Sequence, residues 1–344
     1  MTSTLARRIE TATGVALSVA ALGAIGVRLW NAGALWRDEC AVVQLARVST
    51  LGIAKDFTHE AFPPPFFFLV RLWMTLFGTS DAALRSYGFV VGAGLVAALW
   101  LVFRLGRLGV PLISLGGIAL SSSFLLWGTS VRGYGIGTVV VLIALAAFTA
   151  WLQTGSRSAA IITFAAAVLS VQFLVQNTML VLAICGSAFV VCLIVRQWKR
   201  ALWMAAVVVL SELSFALYIP SYLKAGDWSV VVESDGSRHS IIQQLGQFLG
   251  TNSLIMQWAS GLCLVGVLSL AVQQIYARRG EKDSVEFKLC LFAALVCVTS
   301  AIASALFFRV LHYTVQPWYL LAPFAVGLTG IDALTARVCH STPR

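Results

Sequence analysis

Long uninterrupted apolar runs constrain this chain more than any other feature. Stretches rich in Leu, Val and Ala recur along its 344 residues. Many approach the ~20 residues that a helix needs to cross the hydrocarbon of a bilayer. In that medium every backbone N–H and C=O must be paired within the protein, so only helices and closed barrels can span it. The apolar residues are continuous and do not alternate, which excludes barrel strands. The expected fold class is therefore all-α, a polytopic integral membrane protein. A chain that is 59% hydrophobic and only 11% charged also cannot be a disordered or ordinary water-soluble protein.

The runs predict ten spans, at 11–30, 86–103, 111–128, 134–152, 159–175, 178–195, 201–219, 254–276, 288–308 and 318–336. The net charge of +10 follows the same pattern. Arg7 and Arg8, Arg104 and Arg107, Arg157, the Arg196–Arg200 cluster, Arg278 to Lys288, and Arg337 with Arg344 all fall on one side of that zigzag. Basic residues in short loops stay cytoplasmic, so both termini are expected in the cytoplasm. The basic residues thus act as topology determinants and not as a nucleic-acid surface. Arg7 and Arg8 precede an apolar run as in a signal peptide, but that run is long enough to span and predicts an uncleaved anchor.

Phe66 to Gly78 is apolar but short, and it carries Arg71. Counting it as a span would invert the charge pattern after it. It is expected as a juxtamembrane helix at the outer interface, or re-entrant, opened by Pro63-Pro64-Pro65. One integral membrane domain, 1–344, then has two long external loops, 31–85 and 220–253. These loops hold most of the acidic residues, which points to work on the outer face. Of seven cysteines, only Cys40 falls in an external loop, so no disulfide is expected, and no CxxC metal signature occurs.

Asp38 and Glu39 are the leading functional candidates. Two adjacent carboxylates at a membrane boundary are costly to desolvate, whereas a carboxylate there can serve acid–base chemistry on a lipid-borne substrate. The bland alternative is a helix N-terminal acid pair stabilised by the dipole. His59 and Glu60 read equally as substrate contacts or as solvated loop, and they are too few for a metal site. Ser80 or Asp81 caps the next helix, with Arg85 at the membrane edge, where it either snorkels or meets a lipid phosphate. Arg132, before Tyr134, runs against the positive-inside trend; an anionic ligand and pairing with Asp38 or Glu39 both account for it. Arg309 and His312 sit beside an aromatic belt and are candidate anion ligands. Glu212, inside a span, is a functional suspect with a structural role nearly as well supported.

Several of these segments follow one order: Trp36-Arg37-Asp38-Glu39, Pro63-Pro64-Pro65-Phe66-Phe67, Leu76-Phe77-Gly78 with Asp81 and Leu84-Arg85, Phe103-Arg104-Leu105-Gly106, and Val131-Arg132-Gly133-Tyr134. Over roughly residues 30–152 the chain resembles the GT-C superfamily of polyprenyl-phosphate-sugar-dependent glycosyltransferases. That superfamily includes protein O-mannosyltransferases, aminoarabinose transferases of lipid A and rhizobial lipopolysaccharide transferases. The resemblance implies that Asp38 is the general base, with Glu39 as its acidic neighbour. It matches Pro64-Pro65 to the family's proline pair and Arg132 with Tyr134 to its arginine-containing turn. There are departures. Pro63 stands where relatives carry His, Gly133 and Tyr134 replace a second acid, and Trp318-Tyr319-Leu320 replaces Arg-Tyr-Leu, which leaves Arg309 as the anion ligand.

The expected function is a membrane glycosyltransferase. It would move a sugar, with inversion, from a polyprenyl-phosphate donor to a glycan or glycolipid acceptor at the outer face of the inner membrane. Arg132, Arg309, Arg85 and His312 would bind the donor phosphate, and His59, Glu60 and Tyr134 would contact substrate. No cofactor is required; a divalent metal is compatible with this chemistry, but no ligand set in the sequence supports one. The alternative is a polyprenyl-lipid flippase or transporter without covalent transfer, using Glu212 and the external cations.

Overall fold

The computed structural model describes residues 2–50, 52, 62–220, 243, 246, 254–311 and 315–341. His59, Glu60, His312 and most of the 220–253 loop lie outside the described residues. The architecture is all-helical, with no strand among the described residues.

The chain runs through α1 (Thr2–Trp30), α2 (Arg37–Arg47), α3 (Pro64–Phe77), α4 (Asp81–Gly106), α5 (Leu112–Leu120), α6 (Ser122–Trp127) and α7 (Gly133–Thr154). It continues through α8 (Arg157–Phe173), α9 (Asn177–Ile194), α10 (Trp198–Ala216), α11 (Leu254–Ala277), α12 (Val285–Leu311) and α13 (Leu321–Ser341). Short 3-10 turns at Arg279–Glu281 and Pro317–Leu320 precede α12 and α13.

Six helical segments are long and apolar enough to cross a membrane: Thr4–Trp30, Asp81–Gly106, Gly133–Thr154, Asn177–Ile194, Val285–Arg309 and Pro317–Arg337. Three of the four remaining predicted spans differ for identifiable reasons, and the fourth, 254–276, coincides with the helix Leu254–Ala277. The run at 111–128 is broken into α5 and α6 at Ser121, whose hydroxyl leaves the helix direction to accept from the Phe124 amide at 3.4 Å. Arg157–Phe173 is apolar but only 17 residues long. Trp198–Ala216 carries Lys199, Arg200 and Glu212 within 19 residues.

The 63–78 segment is a helix, as expected. Pro63 is its N-cap and Pro64 and Pro65 fill its first turn, where a missing N–H costs nothing. Gly78, at φ 90°, closes it in a backbone region that side chains avoid. Phe66, Phe67 and Val70 are buried, while Phe68, Leu72, Leu76 and Phe77 are exposed. Ser80 caps α4, accepting from the Ala83 amide at 3.3 Å.

α7 is the central helix, packed against α4, α8, α9, α12 and α13, and α1 is peripheral. Two glycines permit the tightest approach of one backbone to another. A Cβ on Gly88 of α4 would stand 2.0 Å from the Thr129 carbonyl oxygen, and one on Gly135 of α7 would stand 2.0 Å from that of Gly128. The 128–132 turn is thereby pressed between the starts of α4 and α7.

The helices run alternately between two ends of the bundle. At one end the C-terminus of α1 reaches this turn, because Arg28 Nη1 donates to Thr129 Oγ1 at 2.8 Å. Gln176, before α9, donates through Nε2 to the Tyr319 carbonyl at this same end. Gln172 at the end of α8 donates to Ser214 near the end of α10. At the other end Arg7, Arg107, Arg278 and Arg337 line one cavity, and Arg337 donates to the Gly106 carbonyl at 3.3 Å. Arg200 there lies over Trp151 at the end of α7.

Candidate functional site

The site is built on the first turn of α2. Trp36 is the N-cap, so Arg37, Asp38 and Glu39 occupy the turn whose amides lack partners in the helix. Residues one step apart on a helix point about 100° from each other. The two carboxylates therefore meet different surroundings.

Glu39 faces inward and is 1% exposed. Both its oxygens accept from Arg85 Nη1 at 3.2 Å. Oε1 also accepts from the Val131 amide at 2.9 Å, and Oε2 from the Trp36 amide at 3.3 Å. The last contact is the reaching-back half of a capping box. Arg85 Nη2 in turn donates to the carbonyls of Ala34 at 2.9 Å and Gly33 at 3.4 Å. One buried ion pair thus ties together the end of α1, the start of α2, α4 and the turn before α7.

Glu39, a candidate catalytic acid, and Arg85, a candidate phosphate ligand, are thus paired with each other and with backbone groups, while Arg85 Nε is buried without a hydrogen-bond partner among the described residues.

Asp38 faces outward, with 24% of its side chain exposed. Its Oδ1 lies 3.2 Å from Nε of the exposed Arg37, and its Oδ2 lies 3.9 Å from Arg132 Nη2. Arg132 Nη1 also donates to the Asp38 backbone carbonyl at 3.1 Å. Of the two explanations for Arg132, pairing with the acid motif is present in the structure. Arg132 is itself largely buried, 4.9 Å over the Phe62 ring and 5.7 Å over that of Tyr134. Stacking of this kind holds a guanidinium in a fixed orientation beside the acid motif.

Aromatic rings wall this end. Trp36 and Trp127 are 5.2 Å apart, Trp127 and Trp318 4.6 Å, Tyr134 and Tyr319 5.7 Å, and Phe62 and Tyr134 4.9 Å. Tyr134 is buried at 2% exposure and serves as a wall of the site. Arg309 is exposed in the last turn of α12, next to Phe308, whose ring lies 6.4 Å from Tyr319. Among the described residues no group of three or more His, Cys, Asp and Glu side chains is placed to hold a metal ion.

The sequence reading missed Arg28, Trp127 and the Glu39–Arg85 pair. A signal for the last was present. Glu39, Val42, Val43 and Ala46 are spaced i, i+3, i+4, i+7 and are all buried, so Glu39 lies on the apolar stripe of α2. Glu212 is half-buried in α10, and its Oε1 has no hydrogen-bond partner among the described residues.

No protein-family model, curated protein or solved structure matches this chain.

Proposed function

We propose that the chain is an integral membrane glycosyltransferase that takes a sugar from a polyprenyl-phosphate donor, with Asp38 as general base. The observation that carries this reading is the split of the acid pair. One carboxylate is buried as a structural anchor, and its neighbour is held partly exposed within 3.9 Å of a stacked, largely buried arginine.

The chemistry follows from those groups. An acceptor hydroxyl gives its proton to the Asp38 carboxylate as its oxygen bonds to the anomeric carbon. The bond from that carbon to the phosphate oxygen breaks, and the phosphate leaves with the electron pair. Arg132, with Arg309 on the same end, meets the charge that develops there. The tryptophan and tyrosine rings exclude water that would otherwise hydrolyse the donor. Glu39 and Arg85 fix the backbone that carries Asp38, and His59, Glu60 and His312 complete the substrate contacts. Inversion and the polyprenyl carrier come from the resemblance to the GT-C superfamily.

In this reading the alternating helices form ten passes, with α5 and α6 together making the third. The basic end faces the cytoplasm and the Asp38 end faces outward. The acceptor is a glycan or glycolipid of the cell envelope.

The test is Asp38→Asn in purified protein supplied with polyprenyl-phosphate sugars and envelope glycan. Transfer should vanish while the variant inserts and elutes like the wild type. Near-normal transfer by Asp38→Asn removes Asp38 as the base. Movement of the labelled lipid across the bilayer without covalent transfer favours the transporter reading instead.

A further inference from the structure

The end of the bundle away from Asp38 holds a cavity of about 630 Å³. Its lining joins α1 (Arg7, Glu10), the 107–110 loop (Arg107), α11 and its end (Gln274, Arg278), α12 (Glu286) and α13 (Arg337). Four guanidinium groups thus face two carboxylates. None of the four has a carboxylate within 4.0 Å among the described residues, since the ion pairs there involve only Asp38 and Glu39. Arg337 donates through Nη2 to the Gly106 carbonyl, and its buried Nε has no partner among the described residues. Trp100, Leu108 and Val110 add an apolar wall beside these cations.

Basic residues at a membrane boundary are ordinarily spread over the surface, where each attracts anionic lipid weakly. These instead converge on one concave space, where several guanidinium groups can donate charge-assisted hydrogen bonds to a single phosphate.

We infer that this cavity binds a phosphate group, clamped by Arg7, Arg107, Arg278 and Arg337. The same chemistry is offered by the headgroup of an anionic phospholipid and by free phosphate. The site is distinct from the Asp38 centre and does not depend on the transferase reading.

The experiment uses the full chain in phosphatidylcholine nanodiscs. One arm dopes them with phosphatidic acid and reads retained lipid by native mass spectrometry. The other adds inorganic phosphate and reads binding by calorimetry. The variant Arg7→Gln with Arg107→Gln removes two exposed members of the clamp and spares the packed Arg337. Binding should fall about tenfold or more. The control, Arg8→Gln with Arg157→Gln, removes the same charge from residues that do not line the cavity, and it should bind as the wild type does. Asp38→Asn should also bind normally, which separates this site from the transfer centre. Retention of phosphatidic acid alone identifies the lipid headgroup as the ligand, and binding in the calorimetric arm identifies free phosphate. Absence of binding in both arms overturns the inference. So does an equal loss in the control pair, because then the cations act as a diffuse surface.

Discussion

Replacing Glu39 with glutamine should unfold the region around the site even though it changes one atom. Glu39 is 1% exposed and Arg85 10% exposed at the side chain, so solvent cannot replace the lost charge. The carboxylate accepts from Arg85 Nη1 on both oxygens and from the amides of Val131 and Trp36. A glutamine has one acceptor oxygen, so its NH2 must face one of these donors. Each donor stranded in this way costs about 1–3 kcal/mol. Arg85 would also remain charged without a counter-ion, and breaking a buried pair from one side costs about 3–5 kcal/mol in total. Arg85→Gln should cost a similar amount by stranding Glu39. The double variant joins two neutral amides, so its loss should fall short of the sum by about 2–3 kcal/mol. Steric trapping or reversible unfolding in mixed micelles measures all three against the wild type. A loss below about 1 kcal/mol for Glu39→Gln, or strict additivity in the double variant, would refute the assignment of this pair as the anchor of the site.

Other substitutions probe the same geometry from different sides. Arg132→Lys keeps a charge but loses the planar group stacked on Phe62 and Tyr134, so transfer should fall at least about 100-fold with folding intact, as judged by elution and donor turnover. Gly135→Ala drives a methyl into the Gly128 carbonyl and should cost about 1–3 kcal/mol, whereas Gly116→Ala meets nothing within 4 Å and should be neutral or stabilising in the same unfolding assay. Asp332→Ala removes the carboxylate that accepts from the Ser114 amide at 2.9 Å and hydroxyl at 3.0 Å, and should loosen α13 from α5 at a cost of about 1–3 kcal/mol. A chain keeping only Cys40, which is exposed beside Asp38, should react with a membrane-impermeant maleimide on intact cells; labelling only after permeabilisation would place Asp38 on the cytoplasmic side and end the proposed mechanism.

The helical class was legible because hydropathy is a local property, and the runs that became α1, α4, α7, α9, α12 and α13 announce themselves within about 20 residues. The same local logic located α3, through its prolines and Gly78, and the Ser80 cap. It failed where local and distant terms compete. Ser121 lies inside an apolar run, yet its hydroxyl caps a new helix and divides the third run. Arg28 in the last turn of α1 reads as a snorkelling cation until Thr129, 101 residues away, comes within 2.8 Å. The cluster of Trp36, Trp127 and Trp318 draws on three separate segments, each of which alone resembles an interfacial anchor.

The acid pair shows where such legibility ends. The phase of α2 can be read from sequence, since Val42, Val43 and Ala46 define a stripe that includes Glu39 and leaves Asp38 at its edge. An acid on an apolar stripe demands a buried cation, so the pattern already implies a partner for Glu39. It does not say which one. Arg28, Arg71, Arg85 and Arg132 all lie near this end in sequence terms. The choice is made by the two glycine contacts that press α4 and α7 onto the 128–132 turn. They bring Arg85 and the Val131 amide onto one carboxylate and leave Arg132 beside the other. The two acids thus divide their work by helix phase. The arginines divide theirs by how closely the backbones approach, and that property appears only once the helices are packed.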